Sequence, residues 1–381
     1  MKRIAGFDPL QTRRTLQRKG LRPWQILRYT YRPFDVRWIY WESETRLLDR
    51  PREEYIARLA PIGPVLVLPH QNRVSIDGPL VISNPADINA VDGSATVFPA
   101  SIVSNNLISN GEILPNMSQE ADALANALES STTEFAQHLI ATLHTPKYLQ
   151  ENGDALRRDW PRIPLPGTAE LLAHSATLGR RLAELLDAES STHLAAEWSF
   201  LAALKLPLNP NLDEALKLTA GWGHKGQGST VMPGRGLAPE RPWTETERQK
   251  LAALATNNNV GAHGPSPLGT GEERLQSVLT LLGETCVDVY LNGDAHWSAV
   301  PINVWNYTLG GYQVLKKWLS YREFTTEPTS PLLHRPLSPE EAAYFAQVVR
   351  RIAAILLLGP ALDESYRAIL PTATGLPAGN S

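Results

Sequence analysis

Residues 31–41 restrict the fold of this chain more than any other segment. Five of these eleven residues are aromatic, and two arginines and one aspartate stand among them. Large apolar side chains occupy alternate positions, namely Phe34, Val36, Trp38 and Tyr40. A period of two and an abundance of aromatic and β-branched residues are typical of a β-strand. We therefore predict a strand, with Asp35 and Arg37 on its other face and close enough to form an ion pair.

Four motifs follow one another along the chain. They are YRPFDVRWIY at 31–40, LHTPKY at 143–148, DWPRIPLP at 159–166, and WNY, GGYQV and KWL within 305–319. In this order the motifs resemble those of the C-terminal specificity domain of type ISP restriction–modification enzymes, and related single-chain DNA methyltransferase–nucleases carry a similar opening. The resemblance extends over nearly the whole chain.

The resemblance implies a module that recognises a DNA sequence. Such a module holds double-stranded DNA for a separate or upstream adenine methyltransferase, with a nuclease as a further partner. S-adenosylmethionine is then expected in the partner module, and no cofactor in this chain. Affinity would come from Lys and Arg contacts to phosphates, and specificity from side chains that reach base edges.

The pair of Asp35 and Arg37 has two interpretations. If both charges are buried in a core strand, loss of Arg37 is expected to cost ~3–5 kcal/mol, because an unpaired charge stays buried. If Arg37 instead faces DNA, its loss should weaken binding and leave stability almost unchanged. We favour the structural interpretation.

Composition excludes several classes of protein. The 381 residues are enough for one large domain or two moderate ones. The single cysteine, Cys286, excludes an intrachain disulfide framework and a cysteine-based zinc cluster. No apolar run approaches the ~20 residues of a membrane span, and the start of the chain lacks the apolar core of a signal peptide. We therefore expect a soluble, cytoplasmic protein without a membrane partner.

The charge of the chain is unevenly distributed. Residues 1–60 contain 14 Lys and Arg and 7 Asp and Glu, a balance of +7, although the whole chain has a net charge of −3. A basic segment on an acidic body can bind a polyanion. It can equally bind an acidic protein, and the charge pattern leaves both possibilities open.

The pattern of elements predicts an α+β fold. Its parts are a strand-rich N-terminal part, a helical middle, and a mixed C-terminal part with a hairpin and a long final helix. We divide the chain into a basic connector at 1–30, a strand-rich subdomain at 31–115, a helical subdomain at 116–206, a mixed α/β subdomain at 207–370 and a disordered tail at 371–381.

Local signals predict individual elements. Strands are expected at 65–68, 80–83 and 96–100, and helices at 51–59, from 118 onward, and at 169–186, 193–204, 246–254, 272–283 and 339–358. Ser131 and Ser338, each followed three residues later by glutamate, predict capping boxes. Asn292-Gly293 predicts a type I′ hairpin turn between strands at 286–291 and 297–307. Gly359-Pro360 is expected to end the final helix.

The catalytic signatures of a complete restriction–modification enzyme are missing from the sequence. A methyltransferase of this kind needs an Asn/Asp/Ser-Pro-Pro-aromatic tetrapeptide, and the nearest stretch, NPAD at 84–87, lacks the second proline and the ring. There is no phosphate-binding loop of the Gly-x4-Gly-Lys-Ser/Thr type. We predict no catalytic residue and no metal site, and expect neither methyl transfer nor ATP hydrolysis by this chain alone.

Ten residues are candidates for contacts with DNA. A glycine-rich segment at 219–241 offers four donors to phosphates or base edges: His224, Lys225, Gln227 and Arg235. Lys316 and Lys317 offer charge from a predicted helix, with a solvated helix face as the alternative. The remaining candidates lie in or beside the motifs, and they are Arg32, Lys147, Arg157 and Arg158. The alternative for the glycine-rich segment is a flexible surface loop.

Two further classes of function stay open. In the first, the chain is a protein–protein adaptor or a remnant domain without a DNA site, and its N-terminal arginines bind an acidic protein surface. In the second, the chain is a self-contained enzyme, which the missing constellations make the weakest hypothesis.

Overall fold

The computed structural model of the protein describes residues 8–45, 47–48, 53–59, 63–69, 76–104, 111–192, 194, 196–227, 230–254, 271–328 and 330–373. The helices in these residues are α1 (Pro9–Lys19), α2 (Glu53–Arg58), α3 (Gln119–Ala127), α4 (Thr132–Leu143), α5 (Pro146–Leu156), α6 (Ala169–Leu186), α7 (Leu212–Ala215), α8 (Glu245–Leu254), α9 (Gly271–Leu282), α10 (Ile302–Trp305), α11 (Val314–Ser320), α12 (Pro339–Leu357) and α13 (Gly359–Ile369).

The strands of the described residues are short. They are β1 (Ile26–Arg32), β2 (Asp35–Tyr40), β3 (Val65–Pro69), β4 (Leu80–Ile82), β5 (Ala95–Pro99), β6 (Ser101–Val103), β7 (Ile113–Pro115), β8 (Ala203–Lys205), β9 (Gly223–Lys225), β10 (Val231–Pro233), β11 (Glu240–Pro242), β12 (Thr285–Tyr290), β13 (His296–Pro301), β14 (Thr308–Leu309) and β15 (Tyr312–Gln313). They form a sheet in the order β11-β12-β13-β8, a sheet in the order β4-β3-β5, and the hairpins β1–β2, β6–β7, β9–β10 and β14–β15. The predicted α+β fold is confirmed.

The segment at 31–41 is not one continuous strand, because it contains the end of β1, a turn and the whole of β2. β1 and β2 pair antiparallel, with Tyr29 opposite Arg37, and the chain reverses at Pro33 and Phe34. Phe34 has a φ of +56°, a conformation that is uncommon for residues other than glycine, and its side chain is buried. Residues 26–30, predicted as part of a connector, therefore belong to β1. Trp38, one of the alternating apolar side chains, is 66% exposed.

The middle of the chain is helical, as predicted. Helix α6 has the predicted bounds, and α4 begins with the predicted capping box at Ser131 and Glu134. Gly179 lets α6 approach α4 closely, because a β-carbon there would lie 1.7 Å from the carbonyl oxygen of Gln137. Pro146 is the first residue of α5, a position that proline favours.

The helix predicted at 193–204 is wrong. A 3-10 helix at Ala196–Phe200 is followed by β8, which pairs with β13. Ala202, between the two elements, has a φ of +51°, which an α-helix cannot contain.

The predicted hairpin β12–β13 is present, but its turn is not of type I′. Neither Asn292 nor Gly293 has the positive φ that this turn requires. Instead the Asn292 side chain organises the loop, because its Oδ1 atom accepts bonds from the amides of Asp294 and Ala295, both at 3.0 Å. The second strand ends at Pro301, and α10 occupies part of the segment predicted as strand.

The final helix is long, and a second helix follows it directly. Pro339 and Ser338 begin α12 with the predicted capping box. Gly359 and Pro360, expected to end the helix, stand at the beginning of α13 instead. The predicted tail starts in a 3-10 helix at Leu370–Thr372, and residues 374–381 lie outside the described part of the chain.

The span from Pro339 to Thr372 is long and apolar enough to cross a membrane, but 72% of its most apolar window is buried inside the protein. The burial of α12 and α13 therefore accounts for their apolar character. Their side chains join one core cluster with β3, β4, α4, α6 and the sheet around β12 and β13. Three fully buried tryptophans belong to this core, namely Trp198, Trp222 and Trp297. The division of the chain into subdomains stays a prediction.

Candidate nucleic-acid interface

The tight turn of the β1–β2 hairpin places Asp35 in the interior. The carboxylate is 1% exposed and bonds two arginines. Arg37 Nη2 lies 2.7 Å from Asp35 Oδ2, and Arg322 Nη2 lies 2.9 Å from Asp35 Oδ1. Burial acts to raise the pKa of Asp35, but Arg322 and Arg37 overcome it and hold the pKa below its ordinary value.

The predicted ion pair of Asp35 and Arg37 is therefore confirmed, with Arg322 as a partner that sequence reasoning missed. The side chain of Arg37 is 40% exposed, whereas that of Arg322 is 15% exposed. Because Arg322 stays beside Asp35 when Arg37 is removed, the cost of losing Arg37 should be well below the value expected for a fully buried pair.

Beside this ion pair, three cations surround three tyrosine rings. We call this group the basic–aromatic cluster; it consists of Tyr31, Arg32, Arg37, Tyr312, Lys317 and Tyr321. The Cζ atoms of Arg32 and Arg37 lie 4.1 and 3.9 Å from the centre of the Tyr31 ring. The Nζ atom of Lys317 lies 5.2 Å from the ring of Tyr312 and 5.0 Å from that of Tyr321.

The rings also contact one another, since the centroids of Tyr31 and Tyr321 are 5.2 Å apart in an edge-to-face arrangement. Two distant parts of the sequence therefore meet here, the hairpin β1–β2 and the region of α11. Cation–π contacts hold the cations over the rings.

The positive charge of the cluster is only partly neutralised. Arg32 Nη1 lies 3.4 Å from Asp87 Oδ1, and the Nε atom of Arg32 is buried without a hydrogen-bond partner among the described residues. No carboxylate of the described chain lies within 4 Å of Lys317. Burial, and then the charge of Arg32, lower the pKa of Lys317. Such a site attracts an anion and offers aromatic faces beside it.

In the glycine-rich segment β9 and β10 pair antiparallel, so the alternative of a flexible loop is not supported at the residues of these two strands. A β-carbon at Gly223 would lie 2.1 Å from the Ser320 carbonyl oxygen, and one at Gly236 would lie 2.0 Å from the Trp222 ring. The buried carboxylate of Glu323 accepts bonds from the amides of Gly221 and Trp222. At these positions the lack of a side chain lets the backbone pack closely against neighbouring parts of the chain.

Hairpin β9–β10 lies next to the basic–aromatic cluster. Gly223 packs on Ser320, the last residue of α11, and the following residue, Tyr321, belongs to the cluster. His224 is exposed on β9, and Lys225 forms an ion pair with Glu327 at 2.7 Å. The hairpin therefore packs against the end of α11, one residue away from the cluster.

The other candidate residues of the glycine-rich segment and of α11 differ in their exposure. Gln227 is exposed at the end of the hairpin, where its carbonyl accepts a bond from the Thr230 hydroxyl at 2.9 Å. Arg235 is exposed after β10. Lys316 is partly exposed on α11.

The three predicted cations of α5 lie elsewhere. Lys147 forms an ion pair with Glu151 at 3.4 Å, and Arg157 and Arg158 are exposed after the end of the helix. The start of α5 packs near Gly359, whereas Tyr344, at the other end of α12, donates a bond to the Phe34 carbonyl. Tyr344 and the C-terminal end of α12, which adjoins Gly359, are about 20 Å apart at 1.5 Å per residue. Lys147, at the start of α5, therefore lies away from the cluster.

In the described part of the chain, no group of three or more His, Cys, Asp or Glu side chains is placed to hold a metal ion. Cys286 is buried, and burial raises the pKa of its thiol to about 12, so the reactive thiolate is disfavoured.

Comparison with known proteins agrees with this architecture. Residues 9–344 match the model of the type ISP C-terminal specificity domain, and the chain belongs to this family. No curated protein sequence matches the chain.

Solved structures with a similar fold include DNA complexes. One is the ATP-dependent type ISP restriction–modification enzyme LlaBIII bound to DNA, with a TM-score of 0.54 and 12% sequence identity. The alignment covers 94% of this chain and 20% of the LlaBIII chain. The DrdV–DNA complex, determined by cryo-electron microscopy, has a TM-score of 0.53 and 18% identity, covering 98% of this chain and 31% of that chain. At these identities the likeness is one of fold, and this chain spans less than a third of either protein.

The structure brings together some of the predicted site residues and adds others. Arg32 and Lys317 meet in the cluster, with His224 and Lys225 beside them. The residues that sequence reasoning missed are Tyr31, Tyr312, Tyr321 and Arg322. A signal for them existed, because the first and last motifs both combine tyrosines with cations, but their contact across the chain was not visible.

Proposed function

We propose that this domain recognises a DNA sequence and holds duplex DNA for a catalytic module. The observation that carries the proposal is the basic–aromatic cluster, in which Lys317 has no carboxylate within 4 Å among the described residues, Arg32 is only loosely paired with Asp87, and both cations stand beside tyrosine rings. Phosphate contacts from such cations would fix the DNA, and nearby side chains would read bases.

The proposed partners follow from the family. The catalytic module would be an adenine methyltransferase with a nuclease, and it would bind S-adenosylmethionine. This domain would contribute no catalytic group. The complex would act on DNA in the cytoplasm. The DNA-bound state of LlaBIII and DrdV, which are much longer chains of similar fold, supports this assignment.

Lys317→Ala is expected to weaken binding to every duplex about equally, because an ammonium group contacts phosphate without reading sequence. The salt dependence of binding should lose about one unit of slope for the lost phosphate contact. We expect the same of Lys316→Ala. Fluorescence anisotropy with selected and scrambled duplexes at several salt concentrations measures both quantities. Lys250→Ala, on α8, is the matched control and should keep the wild-type slope. An unchanged slope for Lys317→Ala would remove this lysine from the interface.

Arg235→Ala is expected to change sequence preference. An exposed arginine beside the β9–β10 hairpin can form two parallel hydrogen bonds to a guanine edge. Losing them should cost ~1–3 kcal/mol of binding free energy on the preferred duplex and weaken the sequence preference at one base pair. Arg235→Lys keeps the charge but lacks the planar fork, so it should also lose preference while retaining affinity for scrambled DNA. Equal losses on both duplexes for Arg235→Ala would exclude this arginine from base recognition.

A further inference from the structure

A basic cavity, separate from the basic–aromatic cluster, lies between α12 and the segment that follows α6. Its volume is about 220 Å³, and hydroxyl groups and two adjacent guanidinium groups line it. The hydroxyls belong to Ser190, Ser191, Thr192 and Ser199, and the guanidinium groups to Arg350 and Arg351. The cavity involves none of the residues of the basic–aromatic cluster.

Backbone carbonyls hold both guanidinium groups in place. Arg350 donates from Nε to the Leu201 carbonyl and from Nη2 to the Ser199 carbonyl, both at 3.1 Å. Arg351 donates from Nη1 to the Asp187 carbonyl at 2.6 Å and from Nη2 to the Ser190 carbonyl. These bonds use two of the five N–H groups of each arginine. The remaining donors are available to a ligand.

The charge of the cavity lacks an ion-pair partner. Within the described residues, no carboxylate lies within 4 Å of either guanidinium group, although Arg351 is only 4% exposed. Asp187 acts on Arg351 electrostatically, but its own carboxylate accepts a bond from the Glu189 amide at 3.0 Å, and burial raises its pKa. Glu189 is paired with Arg28. Buried positive charge without a partner is costly, and an anion in the cavity would offset that cost.

We propose that this cavity binds a tetrahedral oxyanion of the phosphate class, either a free phosphate ion or a phosphate of a nucleic-acid backbone. Planar guanidinium groups match the oxygen spacing of such an anion. The hydroxyls of Ser191 and Ser199 add donors, whereas Thr192 already donates to the Glu184 carbonyl and Ser190 to Thr192. Phosphate binding is measured without DNA. Failure of this inference therefore leaves the proposed DNA recognition untouched, and the reverse also holds.

The test places a negative charge in the cavity without breaking the arginine–carbonyl bonds. Gln347 is exposed on α12 and lines the cavity, so Gln347→Glu should repel the anion and weaken phosphate binding by about tenfold or more. Gln150→Glu, at an exposed position of α5, is the matched control. Thermal melting of the full chain in sodium phosphate and in sodium chloride, at equal pH and ionic strength, gives the readout. Phosphate should stabilise the wild type and Gln150→Glu, but not Gln347→Glu.

Binding to duplex DNA then separates the two sources of the anion. If Gln347→Glu binds duplex DNA more weakly than Gln150→Glu, with a salt slope lower by about one unit, the cavity takes a backbone phosphate. If both variants bind DNA alike while phosphate stabilises only Gln150→Glu, the cavity takes a free ion. The proposal is overturned if both variants bind DNA alike and phosphate either stabilises the wild type no more than chloride or stabilises both variants equally.

Discussion

Asp35→Ala is expected to destabilise the protein by ~3–5 kcal/mol, because it leaves the guanidinium of Arg322 in the interior without its carboxylate. Arg322 Nη2 lies 2.9 Å from Asp35, whereas its other carboxylate neighbour, Glu341, is 4.0 Å away. The substitution also removes the ion pair that ties the turn of the β1–β2 hairpin to Arg322, after α11. Urea unfolding measures the loss as a lower midpoint at constant slope.

Arg37→Ala is the informative comparison for that result. The side chain of Arg37 is partly exposed, and its removal leaves Asp35 paired with Arg322, so the expected cost is ~1 kcal/mol or less. Asp35→Asn should fall between the two, since it keeps the shape of the side chain and loses its charge. A loss for Asp35→Ala no larger than that for Arg37→Ala would refute the bridging role of this carboxylate.

The second large effect is a loss of stability in mild acid. Burial lowers the pKa of His138 and of His144 to about 4, from an ordinary value of 6.5. Between these values the unfolded chain binds a proton at each histidine and the folded chain does not. Stability is therefore full above pH 6.5 and falls as the pH drops toward 4. From pH 7 to pH 5 we expect about 2 kcal/mol of loss per histidine.

Substitutions isolate the contribution of the two histidines to the loss of stability. They are needed because protonation of carboxylates in acid also lowers the unfolding free energy. His138→Gln and His144→Gln should each flatten the dependence of the unfolding free energy on pH, by up to about one proton between pH 7 and pH 5. Ser175→Ala removes the hydroxyl that lies 2.9 Å from His138 Nδ1 but no titrating group, so it should keep the wild-type slope. If the glutamine variants retain the full slope, the two histidines do not account for the acid sensitivity.

Local sequence signals predicted the elements whose causes are local. Both serine–glutamate capping boxes form, and α6 has its predicted bounds because its apolar positions repeat at the helical period. The three strands at 65–69, 80–82 and 95–99 also lie where apolar runs between turn residues placed them. In these cases the neighbouring residues suffice to select the structure.

The predictions that failed depend on contacts with distant parts of the chain. The reversal at Phe34 interrupts an alternation that continues through the turn, and the Tyr344 hydroxyl binds the Phe34 carbonyl from α12. Asn292 donates through its side chain to the carbonyls of Ala215 and Lys217, which favours a loop over the type I′ turn that its dipeptide predicts. No local pattern reveals these partners.

The candidate site was predictable in part for the same reason. Arg32 and Lys317 stood out as cations within motifs, and the structure brings them to the same tyrosine rings. Lys147 looked equivalent in the sequence, yet the length of α12 separates the start of α5 from the cluster. The contact between the rings of Tyr31 and Tyr321 could not be predicted from the sequence, because it depends on the tertiary fold.

The central claim is that this chain alone recognises a DNA sequence, and one binding experiment tests it most directly. A duplex is selected from a random pool by the full chain, labelled, and titrated beside a scrambled duplex at low and at physiological salt. The account predicts that both duplexes bind at low salt. It predicts that the selected duplex binds about a hundredfold tighter or more, because each mismatched base pair costs ~1–3 kcal/mol. Equal affinity for the two duplexes at each salt concentration, or no binding even at low salt, would contradict it; the second result would favour an adaptor that binds protein instead of DNA.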